Sequence, residues 1–180
     1  MANRQIALLR GINVGKAKRL AMADLRALFE KLGYVDVRTL LNSGNVVFSV
    51  PETSTVEPAP RIETAIAEAT GHHVRVTVIR AEELAEIVVK NPLHDVATDP
   101  SRLLISVFNH PADRGRVVPL TQQDWTPDRL ALGDRVAYVW CAEGILESRL
   151  AQALGRALGD SVTSRNLTTM SKLKVLAEER

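Results

Sequence analysis

Cationic, amide and hydroxyl side chains cluster in two glycine-containing turns near the start of the chain. The first turn, Arg10–Lys16, follows an apolar run, and the second, Asn42–Asn45, joins two further apolar runs. Guanidinium and ammonium groups supply positive charge, while amides, hydroxyls and the backbone N–H groups of glycines supply directional hydrogen bonds. If these groups converge, they offer a binding site for an anionic or phosphorylated ligand. The candidate ligand-binding residues of the two turns are Arg10, Gly11, Asn13, Lys16, Ser43, Gly44 and Asn45.

A second group of candidate ligand-binding residues lies in the last part of the chain, at Arg165, Asn166, Thr168 and Thr169. Asn166 is a good N-cap for a helix. The two threonines fall in the first turn, where free backbone N–H groups and the helix dipole favour an anion. Arg165 could serve the same anion. The alternative is that Asn166 only caps the helix and that Arg165 is a surface charge.

No group of residues has the pattern of a catalytic or metal centre. The four histidines are scattered and do not gather with acids or thiols as zinc ligands do. Ser43 has no histidine in a motif that would position a base, and the single cysteine, Cys141, is expected to be a buried inert thiol. The segment Gly11–Lys16 also differs from a P-loop, because three residues rather than four separate its glycines. The sequence therefore predicts no metal and no cofactor, and it leaves open whether the protein is an enzyme.

Apolar periodicity predicts the elements that position these residues. In each half of the chain the pattern is strand, helix, hairpin, helix, strand and helix, the ferredoxin-like order with an added helix. The sequence thus predicts an α+β fold of two ferredoxin-like subdomains, each βαββαβ plus a helix, arising from a duplication at the level of the fold. The predicted boundaries are 1–90 for the first subdomain, 91–101 for a linker rich in Pro and Asp, and 102–180 for the second.

The predicted topology explains why the two turns should meet. In a split β-α-β unit the first and second strands run parallel, so the segments leaving them emerge at the same edge of the sheet. Arg10 is then a charge at the end of a buried strand, and its burial is expected to require an acid or a ligand as partner. The structural alternative for Asn42–Asn45 is that its residues form only a tight hairpin turn and bind no ligand.

Composition limits the classes of function. The net charge of +2 and the pI near 8.9 are only mildly basic, although the stripe Arg10–Arg19 holds four cations and no acid. Aromatic residues make up 4% of the chain, too few for a platform on which nucleic-acid bases stack. No segment is apolar enough to cross a membrane or to act as a signal peptide, so a cytoplasmic protein is expected. The oligomeric state is left open.

Four segments of the chain resemble the bacterial family known as domain of unknown function 1697, namely Leu8–Gly15, Met22–Arg26, Ser43–Phe48 and Arg165–Leu173. The resemblance extends over nearly the whole chain. It implies an α+β fold of two ferredoxin-like subdomains and no established activity. Lys16, Asn42 and Leu167 depart from the family, which often has Gly, Gln and Trp at these positions.

The sequence therefore favours a protein that binds a small anionic or phosphorylated ligand at the edge formed by the two turns. One alternative is a nucleic-acid-binding module that uses the basic stripe Arg10–Arg19. Another is a partner-binding or structural protein that has no ligand and whose motifs form only turns and caps.

Overall fold

A computed structural model describes residues 3–13 and 19–179 of the chain. Within these ranges the protein is a mixed α+β structure with two four-stranded antiparallel sheets and six α-helices, which confirms the predicted class. The chain divides into two compact units. The first runs to Glu83 and also includes the segment from Leu173 onward, and the second is Leu84–Lys172. The boundaries predicted from the sequence stay a prediction.

The sheet of the first unit has the strand order β2-β3-β1-β4, and each neighbouring pair is antiparallel. Because β3 lies between β1 and β2 and is antiparallel to both, β1 and β2 run in the same direction. The hairpin predicted from the alternating runs on either side of Asn42–Asn45 is therefore present as β2 and β3. In chain order the elements are β1 (Asn3–Arg10), α1 (Met22–Lys31), β2 (Val35–Leu40), β3 (Asn45–Val50), α2 (Pro58–Thr70), β4 (Arg75–Arg80) and α3 (Ala81–Val89).

An aromatic cluster forms the centre of the core between this sheet and helices α1 and α2. The rings of Phe29 and Phe48 meet edge to face with centroids 5.2 Å apart, and the ring of Tyr34 lies 5.9 and 4.8 Å from them. Each such pair adds about 0.5–1.5 kcal/mol to the stabilisation from burial. In the described part of the chain the Tyr34 hydroxyl has no hydrogen-bond partner. Its burial raises the pKa of Tyr34, although the nearby Arg61 guanidinium opposes the shift.

The second sheet has the order β6-β7-β5-β8, again with antiparallel neighbours, so the two sheets share one strand order. Its apolar core is formed with α4 and α5 and includes Phe108, Val139 and Leu154. The elements are β5 (Leu103–Phe108), α4 (Arg114–Val117), β6 (Arg129–Leu132), β7 (Val136–Trp140), α5 (Arg149–Leu158), β8 (Val162–Asn166) and α6 (Leu167–Glu178).

Helix α5 begins at a buried serine cap. The Ser148 Oγ accepts a hydrogen bond from the Ala151 N–H at 2.9 Å and donates one to the Asp128 carboxylate at 2.7 Å. Asp128 also accepts the Ala142 N–H at 2.9 Å. The apolar residues just before Ser148 continue the helical spacing in the sequence, but the cap places them outside the helix.

The last turn of α6 is held by the first sheet. The Arg4 guanidinium donates to the carbonyl oxygen of Ala177 at 3.1 Å and to that of Glu179, and the Asp36 carboxylate lies 3.7 Å from the same guanidinium. Arg38 donates to the Glu179 carboxylate at 2.9 Å. A cation at this end of a helix satisfies free carbonyl groups and opposes the negative end of the helix dipole. These contacts join the end of α6 to the sheet of the first unit, to which the segment from Leu173 belongs.

Candidate functional site

The turns that follow β1 and β2 lie side by side, as the parallel direction of these strands requires. The Leu9 N–H donates to the Gly44 carbonyl oxygen at 2.8 Å, and the Asn13 side chain donates to the Asn42 carbonyl oxygen at 3.1 Å. The structure thus brings together the segment Arg10–Asn13 and the turn Asn42–Asn45. Lys16, also predicted for this site, lies outside the described residues.

Asn13, a residue of the first turn, clamps that turn to the backbone of the second turn and to the backbone of Leu20, close to the start of α1. Its Nδ2 donates to the carbonyl oxygens of Leu20 and Asn42, at 3.0 and 3.1 Å, and its Oδ1 accepts the Leu20 N–H at 2.8 Å. Its φ of 57° is a left-handed conformation that asparagine adopts more readily than most residues. Because the amide is occupied by three backbone groups, its role in this structure is to position the two turns.

Gly44 allows the second turn to approach the end of β1. A Cβ at this position would lie 2.7 Å from the Ile12 Cγ2 and 2.8 Å from the Leu9 Cβ, and the backbone φ is +81°. Gly11 also has a positive φ, of 76°, but a Cβ there would meet nothing within 4 Å. Gly44 is therefore required for packing, whereas the Gly11 backbone is exposed at the edge of the sheet.

Asn45 shapes the hairpin from the inside. Its side chain is fully buried and donates to the Leu40 carbonyl oxygen at 2.8 Å and to the Ser43 Oγ at 2.9 Å. Ser43 itself is exposed at the tip of the turn. The amide of Asn45 therefore orients the Ser43 hydroxyl.

Arg10 is exposed at the end of β1, so the prediction that its charge is buried is wrong. The strand leaves the core after Leu9, one residue before the guanidinium-bearing position. Directly opposite Arg10 in the antiparallel register stands Arg75, the first residue of β4. The Arg75 guanidinium lies 3.7 Å from the Glu63 carboxylate, which also accepts the Val76 N–H at 2.8 Å.

Arg75 is the residue of this edge that sequence reasoning missed. The alternation of Val74, Val76 and Val78 was enough to predict the strand but not its register against β1. The register of two strands determines which residues stand opposite each other. The pairing of Arg10 with Arg75 therefore could not be predicted before the register of β4 against β1 was known.

The candidate residues of the second unit form a capped helix start. The Asn166 Oδ1 accepts the Thr169 N–H at 2.9 Å, which confirms the predicted N-cap, and Thr169 is buried. Thr168 is half-buried in the same turn. Arg165 donates to the Ser164 carbonyl oxygen at 2.9 Å, and its burial lowers the pKa of this guanidinium to about 10. Arg165 is therefore not the surface charge that the capping alternative assumed.

In the ranges 3–13 and 19–179, no three His, Cys, Asp or Glu side chains lie close enough together to hold a metal ion. Cys141 is buried as expected, and burial raises the pKa of its thiol. None of the seven aromatic side chains, all of which the structure describes, is exposed. Within the same ranges, every helix is too short or too polar to cross a bilayer.

Comparison with known sequences identifies the family. The model of the family described as "Protein of unknown function (DUF1697)" matches residues 2–138 of the chain. The chain belongs to this family. The match confirms the resemblance noted from the sequence motifs, and it includes both turns of the first unit. The motif at residues 165–173 lies beyond the matched range.

Among solved structures, a conserved bacterial protein is similar to nearly the whole DUF1697 chain. The conserved bacterial protein SP0830 from Streptococcus pneumoniae matches it with a TM-score of 0.76 and 20% identity, over 99% of this chain and 100% of that one. At this level of identity the likeness shows the fold alone. No curated protein matches the chain.

Proposed function

We propose that this protein binds a small anionic, phosphorylated ligand at the edge of the first sheet where the two turns meet. The observation that carries the proposal is the Asn13 clamp, because it fixes both turns beside the exposed Arg10. A preformed edge that carries a cation beside exposed backbone and hydroxyl groups is suited to binding an anion. The family match and the similar structure assign no ligand.

The proposal divides the predicted site residues into two roles. Arg10, Lys16, Ser43 and the Gly11 backbone would contact the ligand, the two cations supplying charge and the others hydrogen bonds. Asn13, Gly44 and Asn45 would position them, since the two amides bond to the turns and Gly44 is packed against Leu9.

Arg75 extends the site and narrows the class of ligand. Like charges directly opposite each other on neighbouring strands are destabilising. An anion with two negative charges, such as a phosphate monoester, relieves this repulsion and can accept from both guanidinium groups. Glu63 would hold Arg75 in reach of the ligand, because its carboxylate lies 3.7 Å from the Arg75 guanidinium.

We also infer that each unit is a ferredoxin-like subdomain and that the two arose by duplication. The inference is supported by the strand order, which is the same in the two sheets, with the third strand of each unit between its first and second. In each unit helical segments connect the first strand to the second and the third to the fourth, as in a split β-α-β arrangement.

A thermal-shift experiment tests the proposed ligand. Inorganic phosphate, sugar phosphates, nucleotides and short RNA and DNA are added to the wild type and to Arg10→Ala, Arg75→Ala and Arg26→Ala. Arg26 is the matched control, an exposed arginine of the same unit that pairs with Glu30 on its own helix. A ligand present at 100 times its Kd stabilises the fold by about 2.7 kcal/mol. This corresponds to a rise in Tm of about 5–10 °C for a chain of this size.

The proposal is supported if a phosphorylated compound raises the Tm of the wild type and of Arg26→Ala but not of the other two variants. It is overturned if no compound shifts the wild type. A shift that occurs only with RNA or DNA and falls steeply with salt would replace it by the nucleic-acid-binding alternative. A lower Tm of Arg10→Ala, with no ligand response in either protein, would assign the motif to structure.

A further inference from the structure

A cavity of about 610 Å³ lies between helices α1 and α2 of the first unit, and we call it the α1–α2 groove. Its apolar lining consists of alanines and leucines, among them Ala27 and Leu28 on α1 and Ala65 and Ala69 on α2. The volume is in the range of sites for small organic molecules, which are mostly apolar with a few polar groups.

Alanines open the groove. Residues 27 and 28 of α1 and residues 65 and 69 of α2 lie on the helix surfaces that face each other, where larger side chains would normally interdigitate. Methyl groups at three of these positions leave the space unfilled. The gap therefore follows from the sequence of the two helices.

Charged side chains of both signs stand around this apolar lining. Asp24 and Lys31 are two turns apart on α1, a separation of about 10 Å along the helix. Glu68 lies near the end of α2, and the antiparallel course of β1 and β3 places that end beside the start of α1. Arg19 also lies at this end of the groove, which therefore carries two carboxylates and one guanidinium. The opposite end of the groove carries Lys31. Within residues 3–13 and 19–179, neither Asp24, Lys31 nor Glu68 forms an ion pair.

We propose that the α1–α2 groove binds a linear zwitterion with an apolar body, of the size of a tripeptide with apolar side chains. Three extended residues span about 10 Å, which matches the distance between the acidic end and Lys31. The ammonium group of the peptide lies at Asp24 and Glu68, and its carboxylate lies at Lys31. The side chains of the peptide bury the alanine and leucine surface. The groove adjoins the Asn13 clamp through Leu20, but Arg10, Gly11 and Ser43 do not line it, and the inference does not depend on the proposed anion site.

The test is a titration of the ¹⁵N-labelled protein with tri-leucine, followed by NMR, together with the same peptide acetylated and amidated at its ends. Ala27→Leu fills the groove and keeps a good helix former at an exposed helical position. Ala23→Leu is the matched control, because Ala23 is exposed on the same helix and does not line the groove. Lys31→Glu reverses the charge that would meet the carboxylate, and Arg10→Ala tests independence from the anion site.

The expected result is a set of amide shifts confined to residues 19–32 and 65–70. The affinity should fall at least tenfold in Ala27→Leu, in Lys31→Glu and with the blocked peptide, and should be unchanged in Ala23→Leu and Arg10→Ala. No shifts at millimolar tri-leucine would overturn the proposal. So would shifts outside the groove, undiminished binding to Ala27→Leu, or equal binding of the blocked peptide.

Discussion

Arginine and asparagine occur together in both units, in settings that differ. In the first unit Arg10 is exposed, and the amide of Asn13 joins two separate turns. In the second unit the amide of Asn166 caps a single backbone N–H of its own helix, and Arg165 is drawn into the fold far enough for its pKa to fall to about 10. The first arrangement leaves a charge at the surface of a clamped edge. In the second unit the Asn166 amide is bonded at the start of α6. This difference favours the edge of the first unit as the place for a ligand.

The largest expected effect comes from removing the clamp. Asn13→Ala loses three hydrogen bonds to the backbone and places alanine at a φ of 57°, so the free energy of unfolding should fall by about 2–3 kcal/mol. Urea denaturation measures the change. Asn42→Ala is the control, because Asn42 contributes its backbone carbonyl to this bond and should lose less than about 0.5 kcal/mol. Equal losses in the two variants would contradict the clamp.

A methyl group at Gly44 tests the close approach of the turns. Gly44→Ala should lower the free energy of unfolding by about 2 kcal/mol, because its Cβ would overlap Leu9 and Ile12 and its φ is positive. Gly11→Ala has the same backbone cost but open space and should lose about 1 kcal/mol. Denaturation curves of the two variants separate the steric effect from the backbone effect. If Gly11→Ala were the less stable variant, the assignment of Gly44 to packing would fail.

The two units also differ in their buried tyrosines, because the Tyr138 hydroxyl has a hydrogen-bond partner and the Tyr34 hydroxyl has none in the described part of the chain. Tyr138 donates to the Ile87 carbonyl oxygen at 2.8 Å, and burial raises the pKa of Tyr138 to about 12 from its usual 10. Because the folded state keeps this proton longer than the unfolded state, the stability that Tyr138 contributes is complete below pH 10. It is lost as the pH rises toward 12. At pH 11 the loss from this group is about 1.4 kcal/mol.

The measurement is the stability of the wild type relative to Tyr138→Phe at pH 8 and at pH 11. Between pH 8 and pH 11 the free energy of unfolding of the wild type should fall by about 1.4 kcal/mol relative to that of Tyr138→Phe. In the first unit, the Tyr34 hydroxyl has no hydrogen-bond partner in the described part of the chain, so Tyr34→Phe should not lower stability at pH 8. A loss of more than 1 kcal/mol in Tyr34→Phe would show a partner for this hydroxyl.

The smallest expected effect is at the cap of α6. Asn166→Ala should lower the free energy of unfolding by about 1 kcal/mol, because the Thr169 N–H loses its acceptor. Asn166→Ser should retain most of the stability, since serine is also a good N-cap. Denaturation measures both variants. If Asn166→Ala were as destabilising as Asn13→Ala, the two asparagines would not differ in the way described above.

Local patterns in the sequence were enough to predict most elements of the fold. The strand Leu103–Phe108 and the cap at Asn166 follow from residue types and spacing alone. The start of α5 does not follow from residue types and spacing. The apolar helical spacing extends back to residues before Ser148, but the helix begins after Ser148 because this residue is fixed as the cap by its buried bond to Asp128.

The candidate site was predictable as a meeting of two turns but not in its details. Strand direction alone brings the turns together, whereas the roles of their residues depend on distances that no spacing encodes. The amide of Asn13 could not be assigned to the clamp without the position of Leu20, and Arg75 could not be placed opposite Arg10 without the register of β4.

The bond between Arg4 and the end of α6 also constrains the order in which the two units can be completed during synthesis. Arg4 precedes the second unit in the chain, and its acceptors at Ala177 and Glu179 follow that unit. The first sheet can form early, but its contact with the end of α6 must wait until the whole second unit has been made. The unit that starts first is therefore finished last.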